Sequence, residues 1–213
     1  MLEAMAIIPA HDEEARVAAV IRPCLESGVL SRVVVVDDGS TDGTAEAARA
    51  AGAWVVRLDP NRGKAGAMDA GVRAFPIPVV LFLDADLLGV TPEHVRSLVV
   101  PVADDAADMT VGTLHSVRHP YNSPILSGQR GMHRITWLRM MAEFPDVLRM
   151  AYGIEIACGR IWRLHRLRMQ LVELDGLDDS TKGEKWGPVR GAITKARMWH
   201  QILRTVRYLG KSG

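Results

Sequence analysis

The sequence predicts an α/β fold in which a mostly parallel sheet is flanked by helices. Three observations carry that expectation. Short apolar runs such as 33–36 and 80–83 show no polar face, as strands covered by helices on both sides require. These runs alternate with Ala-rich stretches at helical spacing, the order of repeated strand–helix–strand units. The runs also end in acids and turn residues, Asp37-Asp38-Gly39-Ser40 and Asp84-Ala85-Asp86. A charge at the end of a buried strand is costly unless something pairs with it.

The elements follow in order. Residues 4–9 read as a strand and 13–26 as a helix with Ala15, Ala18, Ala19 and Leu25 on one side. Residues 32–37 are a β-branched strand, followed by an Ala-rich helix over 41–51 with Ser40 or Thr41 as its cap. A strand over 53–58, a helix over 64–75 and a strand over 78–84 come next. Thr91 caps a helix over 92–102 that has Pro92 at its first position. A strand over 108–114 completes a doubly wound unit. Beyond it the alternation stops. Residues 119–130 read as a long loop, 130–143 and 153–165 as helical, 168–174 as a strand and 175–187 as polar and turn-rich. A final helix is expected over 188–209.

Composition narrows the class. The 213 residues are 48% hydrophobic and 24% charged, those of an ordinary globule. No run of about 18 apolar residues exists to span a membrane. The start, MLEAMAIIPAHDEE, does not read as a signal peptide, since its apolar run is short and interrupted by Glu3. The two cysteines, Cys24 and Cys158, form no CxxC pair, so neither a disulfide framework nor a zinc site is expected and a reducing cytoplasm is. The net charge of +1 hides eight Lys or Arg against the single acid Glu184 over 181–213. Such a basic end suits an anionic neighbour, a membrane surface or a substrate phosphate.

Four segments fall where open α/β sheets bind ligands, at the carboxyl ends of strands: Pro9-Ala10-His11-Asp12-Glu13-Glu14, Asp37-Asp38-Gly39-Ser40, Asn61-Arg62-Gly63-Lys64 and Asp84-Ala85-Asp86. Asp84 and Asp86, two apart in extended chain, point to one side. Oxygen donors of this kind suit Mg²⁺ or Mn²⁺ beside substrate phosphates. The Gly63-Lys64 turn offers close backbone approach and a cation. Each segment alone also reads as a capping acid or an Asx turn; their order and spacing together are specific.

PAHDEE, VVVVDDGSTDGTAEAA, NRGKAGAMDAGV and VLFLDADL resemble the family-2 type of GT-A glycosyltransferase, with the flavour of polyprenyl-phosphate sugar transferases and glucosyl-3-phosphoglycerate synthases. The likeness covers residues 4–115 and reaches Ser127-Gly128-Gln129-Arg130 and Tyr152-Gly153-Ile154-Glu155. It implies the GT-A fold with a helical C-terminal extension. Residues 1–115 would form the nucleotide-sugar half, 116–187 the acceptor-side half and 188–213 a basic amphipathic helix. Pro9, Ala10, His11, Glu13, Asp38, Gly63, Lys64 and Asp84 would bind the nucleotide, with His11 standing where relatives often carry Asn. Asp86 and Asp84 would hold Mg²⁺ or Mn²⁺. Asp86 and Glu155 would be catalytic, and Gln129 and Arg130 would face acceptor or phosphate. Relatives commonly add a metal-binding His after the last strand. Residues 174–180 contain none, and Asp179 or Asp178 would substitute.

The implied function is metal-dependent transfer of a sugar from a nucleotide-diphosphate donor, a UDP-sugar, to an acceptor oxygen on a lipid-linked or phosphorylated molecule. The alternative is a nucleotide- or lipid-binding protein of the same fold with weakened catalysis. A sugar-nucleotide pyrophosphorylase would carry a Gly- and Arg-rich loop where PAHDEE stands, and a phosphorelay receiver would lack the C-terminal part. No nucleic-acid partner is expected, and a homodimer stays open. His115 and His119 read as loop residues or bases, and Arg118 as a surface residue or phosphate clamp. Trp137, Met140 and Met141 read as core or interface, and Cys158 as a buried small residue. The final helix repeats Val189, Ile193, Ala196, Trp199, Leu203 and Val206 on one stripe, with Arg190, Arg197, Arg204 and Arg207 mostly off it. It reads either as a packed helix or as one lying on the inner face of an anionic membrane.

Overall fold

The computed structural model describes residues 3–113, 127–149 and 153–179. The expectations placed on His115, Arg118, His119, Tyr152 and the final helix lie outside them. Nine strands are present: β1 (Ala4–Ala10), β2 (Arg32–Asp37), β3 (Trp54–Arg57), β4 (Val79–Phe82), β5 (Leu87–Leu88), β6 (Met109–Thr113), β7 (Arg130–His133), β8 (Met169–Glu173) and β9 (Asp178–Asp179) among the described residues. Six helices accompany them there: α1 (Val17–Glu26), α2 (Thr44–Ala50), α3 (Gly63–Ala74), α4 (Pro92–Ala103), α5 (Arg134–Glu143) and α6 (Ile154–His165). A 3₁₀ turn, Pro145–Arg149, links the last two.

The main sheet has the order β3-β2-β1-β4-β7-β6-β8. β7 runs antiparallel to both its neighbours, and the other pairings are parallel. The expected α/β class, a mostly parallel sheet between helices, is what the chain adopts. Alternate residues of β1 feed two cores. Ala4, Ala6 and Ile8 pack with α1, α2 and α4. Met5 and Ile7 pack with α3, α5 and α6, where Trp137, Met140, Met141 and Cys158 are buried.

Three local expectations are corrected. Residues 130–133 form strand β7 rather than the start of a helix. The edges of β4 and β6 each present backbone groups that need partners, and β7 satisfies both, with Phe82 opposite Arg130 and Val111 opposite Arg130. Helix α1 begins at Val17, not at residue 13, and buries Val17, Val20, Ile21 and Cys24. That stripe carries larger side chains than Ala15, Ala18 and Ala19, and Leu25 is left 47% exposed. Helix α2 begins at Thr44 behind Gly43, without a side-chain cap, because Ser40 and Thr41 are engaged across the sheet edge. The Thr91 cap of α4 is as expected: its hydroxyl accepts the His94 N–H at 3.2 Å, and His94 Nδ1 accepts the Thr91 N–H at 3.3 Å. Among the described residues no helix is long and apolar enough to cross a membrane.

Candidate active site

The carboxyl ends of β1, β2 and β4 lie side by side, so the loops that leave them meet. The loop after β1 is interlocked with the loop after β2. The Asp12 N–H donates to Ser40 Oγ at 3.0 Å, and the Thr41 N–H donates to Asp12 Oδ1 at 2.8 Å. The Glu13 N–H donates to Thr44 Oγ1 at 2.8 Å, and the Gly43 N–H to Glu14 Oε2 at 3.1 Å. Each loop thereby satisfies backbone donors of the other. Asp37, fully buried at the end of β2, accepts the Ser40 N–H at 2.9 Å. Its charge is offset by Arg57 Nε, 3.6 Å away. Gly39 turns the chain here with φ of 74° and lies against the Asn61 backbone, where a Cβ would stand 3.3 Å from the Asn61 nitrogen. That left-handed conformation costs a side-chain-bearing residue roughly 1–2 kcal/mol.

The next loop closes on Asp38. His11 Nδ1 lies 3.0 Å from the Asp38 carbonyl oxygen, and Asn61 Nδ2 donates to the same oxygen at 2.8 Å. The Arg62 N–H donates to Asp38 Oδ1 at 2.7 Å. Asn61, in the quoted NRGK stretch but given no role by sequence, is thus a structural member of the site.

These loops border a cleft of about 380 Å³ lined by Pro9, Ala10, His11, Glu13, Asp38, Lys64, Asp84 and Asp86, with Ala67 and Ala85 between them. Gly63, with φ of 75°, opens α3 just before Lys64. Asp84 and Asp86 occupy the turn after β4, half-open to the cleft, while Leu83, Ala85 and Leu87 are buried. The alternating burial is thus present, but through a turn at Ala85-Asp86 and not through extended chain. Lys64 Nζ reaches Asp84 Oδ1 at 2.7 Å and Glu155 Oε1, from the first turn of α6, at 3.1 Å. Burial works against this ammonium's charge, yet the two carboxylates together hold its pKa well above that of an ordinary lysine. The carboxylates are hard oxygen donors sharing one cleft, and a cation already sits against Asp84. This donor set fits Mg²⁺ or Mn²⁺.

Gln129 and Arg130 are each only 2% exposed. Gln129 Nε2 donates to Asp84 Oδ2 at 3.2 Å. Arg130 Nε donates to the Ser127 carbonyl at 2.8 Å. Gln129, just before β7, and Arg130, at its start, are thus both held inward, Gln129 against the cleft carboxylate Asp84. Asp179 enters through its backbone, since β9 pairs with β5 and sets Asp179 opposite Leu87, the residue after Asp86. Burial pushes the thiols of Cys24 and Cys158 up to about 12 and about 11, which keeps them protonated and unreactive.

One further acid–histidine group, Asp105, Asp108 and His133, could by distance hold a metal. It lies at the amino end of β6, beside the end of β7. Arg168 fills it, with Nη2 at 3.0 Å from Asp105 Oδ1 and 2.9 Å from Asp108 Oδ1.

The family described as glycosyl transferase family 2 matches residues 5–166 of the chain. An uncharacterized protein of Methanocaldococcus jannaschii is 31% identical over 142 residues, 64% of this chain and 58% of that protein. A glucosyl-3-phosphoglycerate synthase of Mycolicibacterium paratuberculosis is 34% identical over 134 residues, 59% of this chain and 39% of that enzyme. The matches thus span roughly half the length of these relatives or less. Glucosyl-3-phosphoglycerate synthase from Mycobacterium tuberculosis, solved with Mn²⁺, UDP and glucosyl-3-phosphoglycerate, superposes with a TM-score of 0.77 at 22% identity, over 98% of this chain and 80% of that one. The same enzyme is also solved with Mg²⁺ and UDP. At this identity the likeness is one of fold.

Proposed function

The chain belongs to glycosyl transferase family 2, and we propose that it moves a sugar from a UDP-sugar donor to an oxygen of a phosphorylated acceptor, with Mg²⁺ or Mn²⁺ as cofactor. The observation that carries this reading is the convergence of His11, Asp38, Lys64, Asp84 and Asp86 on one cleft. The mycobacterial synthase of the same fold, solved with Mn²⁺, UDP and its product, supports the choice of donor and acceptor class.

In this reading residues 1–115 hold the donor and 116–187 face the acceptor. His11 and Asp38 border the nucleoside. Asp84 and Asp86 hold the cation, and Asp179, on the strand paired with β5, is the third ligand in this reading. When bound, the cation neutralises the departing diphosphate. Lys64 adds positive charge on the same side, prearranged by its two carboxylate partners, so that it need not reorganise as charge develops. Glu155, 12% exposed at its side chain, is the group able to take a proton from the acceptor hydroxyl in an inverting reaction. A retaining course would leave it a binding role.

The second reading, a nucleotide-binding protein without transfer, draws on the absence of His from residues 174–180. One experiment separates the two. Thermal midpoints are measured with UDP, GDP, ADP, CDP and TDP, with and without Mn²⁺, followed by hydrolysis or transfer assays on the stabilising donor. Stabilisation by UDP only with metal, together with turnover, supports the enzyme. Stabilisation without turnover supports the binding protein, and no shift with any pair overturns both.

A further inference from the structure

The two oxygens of Asp84 are separately engaged. Oδ1 faces the Lys64 ammonium at 2.7 Å, and Oδ2 accepts a hydrogen bond from Gln129 Nε2 at 3.2 Å. The orientation of the Gln129 amide is set from behind. Ser127 Oγ donates to Gln129 Oε1 at 2.9 Å and accepts the Gln129 N–H at 3.3 Å. An ionised carboxylate only accepts, so Nε2 must face Asp84, and the hydroxyl on Oε1 holds it there. The backbone is pinned as well. Gln129 precedes β7, Arg130 is paired with Phe82 of β4, and the Gln129 carbonyl accepts the Gly112 N–H at 2.9 Å. Gly128 lets the segment come this close: a Cβ there would stand 2.6 Å from Asp84 Oδ2 and 2.9 Å from Lys64 Nζ.

We infer that Gln129 is a positioning residue for the cation-binding carboxylate: held by Ser127, it fixes the rotation of Asp84 so that Oδ1 is presented to positive charge in the cleft. This rests on the reading of Asp84 as a cation ligand. It gives Gln129 a role behind the ligand rather than in contact with the acceptor. Partners of this kind commonly change metal affinity by about 10–100-fold. A neutral amide suits the task, because it orients the carboxylate without competing for the cation as a charged group would.

The test uses Gln129→Leu, close in volume but without the donor, and Ser127→Ala, which leaves the amide in place and removes its anchor. Mn²⁺ binding is titrated by electron paramagnetic resonance in the presence of UDP, alongside thermal midpoints. Crystal structures of the unliganded variants are determined in parallel. The expected result is about tenfold weaker Mn²⁺ binding in Gln129→Leu and a smaller loss in Ser127→Ala. Asp84 is expected to be rotated or split between conformers. A loss of affinity that merely follows the drop in midpoint, with Asp84 unmoved, overturns the inference. If the wild-type protein shows no Mn²⁺-dependent UDP binding, the proposed function fails. The position of Asp84 in the unliganded variants still decides whether Gln129 sets it.

Discussion

Lys64 Nζ stands 2.7 Å from Asp84 Oδ1, and the same ammonium ties Asp84 to Glu155, a residue 91 positions away from Lys64 in the chain. Removing the ammonium would leave two carboxylates facing one another in a half-buried cleft. Lys64→Met is expected to lower kcat about 100-fold, the scale of losing one prearranged charge-stabilising group. It should also lower the thermal midpoint at pH 8. Wild-type turnover in this variant would take Lys64 out of the chemistry.

Removing the metal should remove nucleotide binding with it. At a UDP concentration near 100 times Kd, mass action stabilises the native state by about 2.7 kcal/mol. For a chain of this size that is a midpoint shift of about 5–10 °C. EDTA should abolish the shift, and Asp86→Ala should reproduce the EDTA result with its own fold intact by circular dichroism. A UDP shift that survives both would contradict the assignment of Asp86.

The core beneath the site has its own marker. Trp137 is fully buried, its Nε1 donates to Asp69 Oδ1 at 3.0 Å, and its ring lies 4.7 Å from that of Phe82 on β4. Trp137→Ala is expected to cost about 3–5 kcal/mol in urea unfolding. Trp137→Phe keeps most of the volume but takes the donor from Asp69 Oδ1, while Oδ2 keeps Arg73 Nε at 2.7 Å, at a cost of about 1–3 kcal/mol. Equal losses in the two variants would mean that the hydrogen bond, not packing, accounts for the site.

The Asp108–Arg168 pair predicts an acid-side dependence. Hydrogen bonds from Arg168 hold the Asp108 carboxyl below the usual carboxylate range. A group with a depressed folded-state pKa stabilises above its unfolded pKa, about 3.9, and loses that contribution as pH falls through the folded value. Asp108→Asn should therefore melt about 2 °C below wild type at pH 7, and the gap should narrow as pH falls below about 3.9. A constant gap across that range would rule out the linkage.

Much of the donor side was legible in the sequence because its determinants are local. Strand β2 runs from Arg32 to Asp37 as its β-branched run implied. Helix α4 starts where Thr91 and Pro92 say it should. The alternating exposure of residues 83–86 is as the acid spacing implied, although a turn at Ala85-Asp86 carries it and not a strand. Strand β7 was not legible, since Arg-Gly-Met-His carries no period of its own and becomes a strand through the two open edges it fills. The starts of α1 and α2 were misread for a related reason. Thr44 accepts the Glu13 N–H and Ser40 accepts the Asp12 N–H, so side chains that could have capped a local helix were spent on contacts 28 to 31 residues away.

The sequence by itself determined the α/β class, the order of the donor-side elements and which acids end which strands. Hydrophobic period, turn residues and caps act within a few positions of one another. Only the tertiary structure decided that Lys64 would bridge Asp84 and Glu155, and that Gln129 would donate to Asp84. Those contacts depend on sheet order and antiparallel register. Register is set by how two edges satisfy their backbone hydrogen bonds and how the helices fill the space on either face, neither of which has a local signature in the chain.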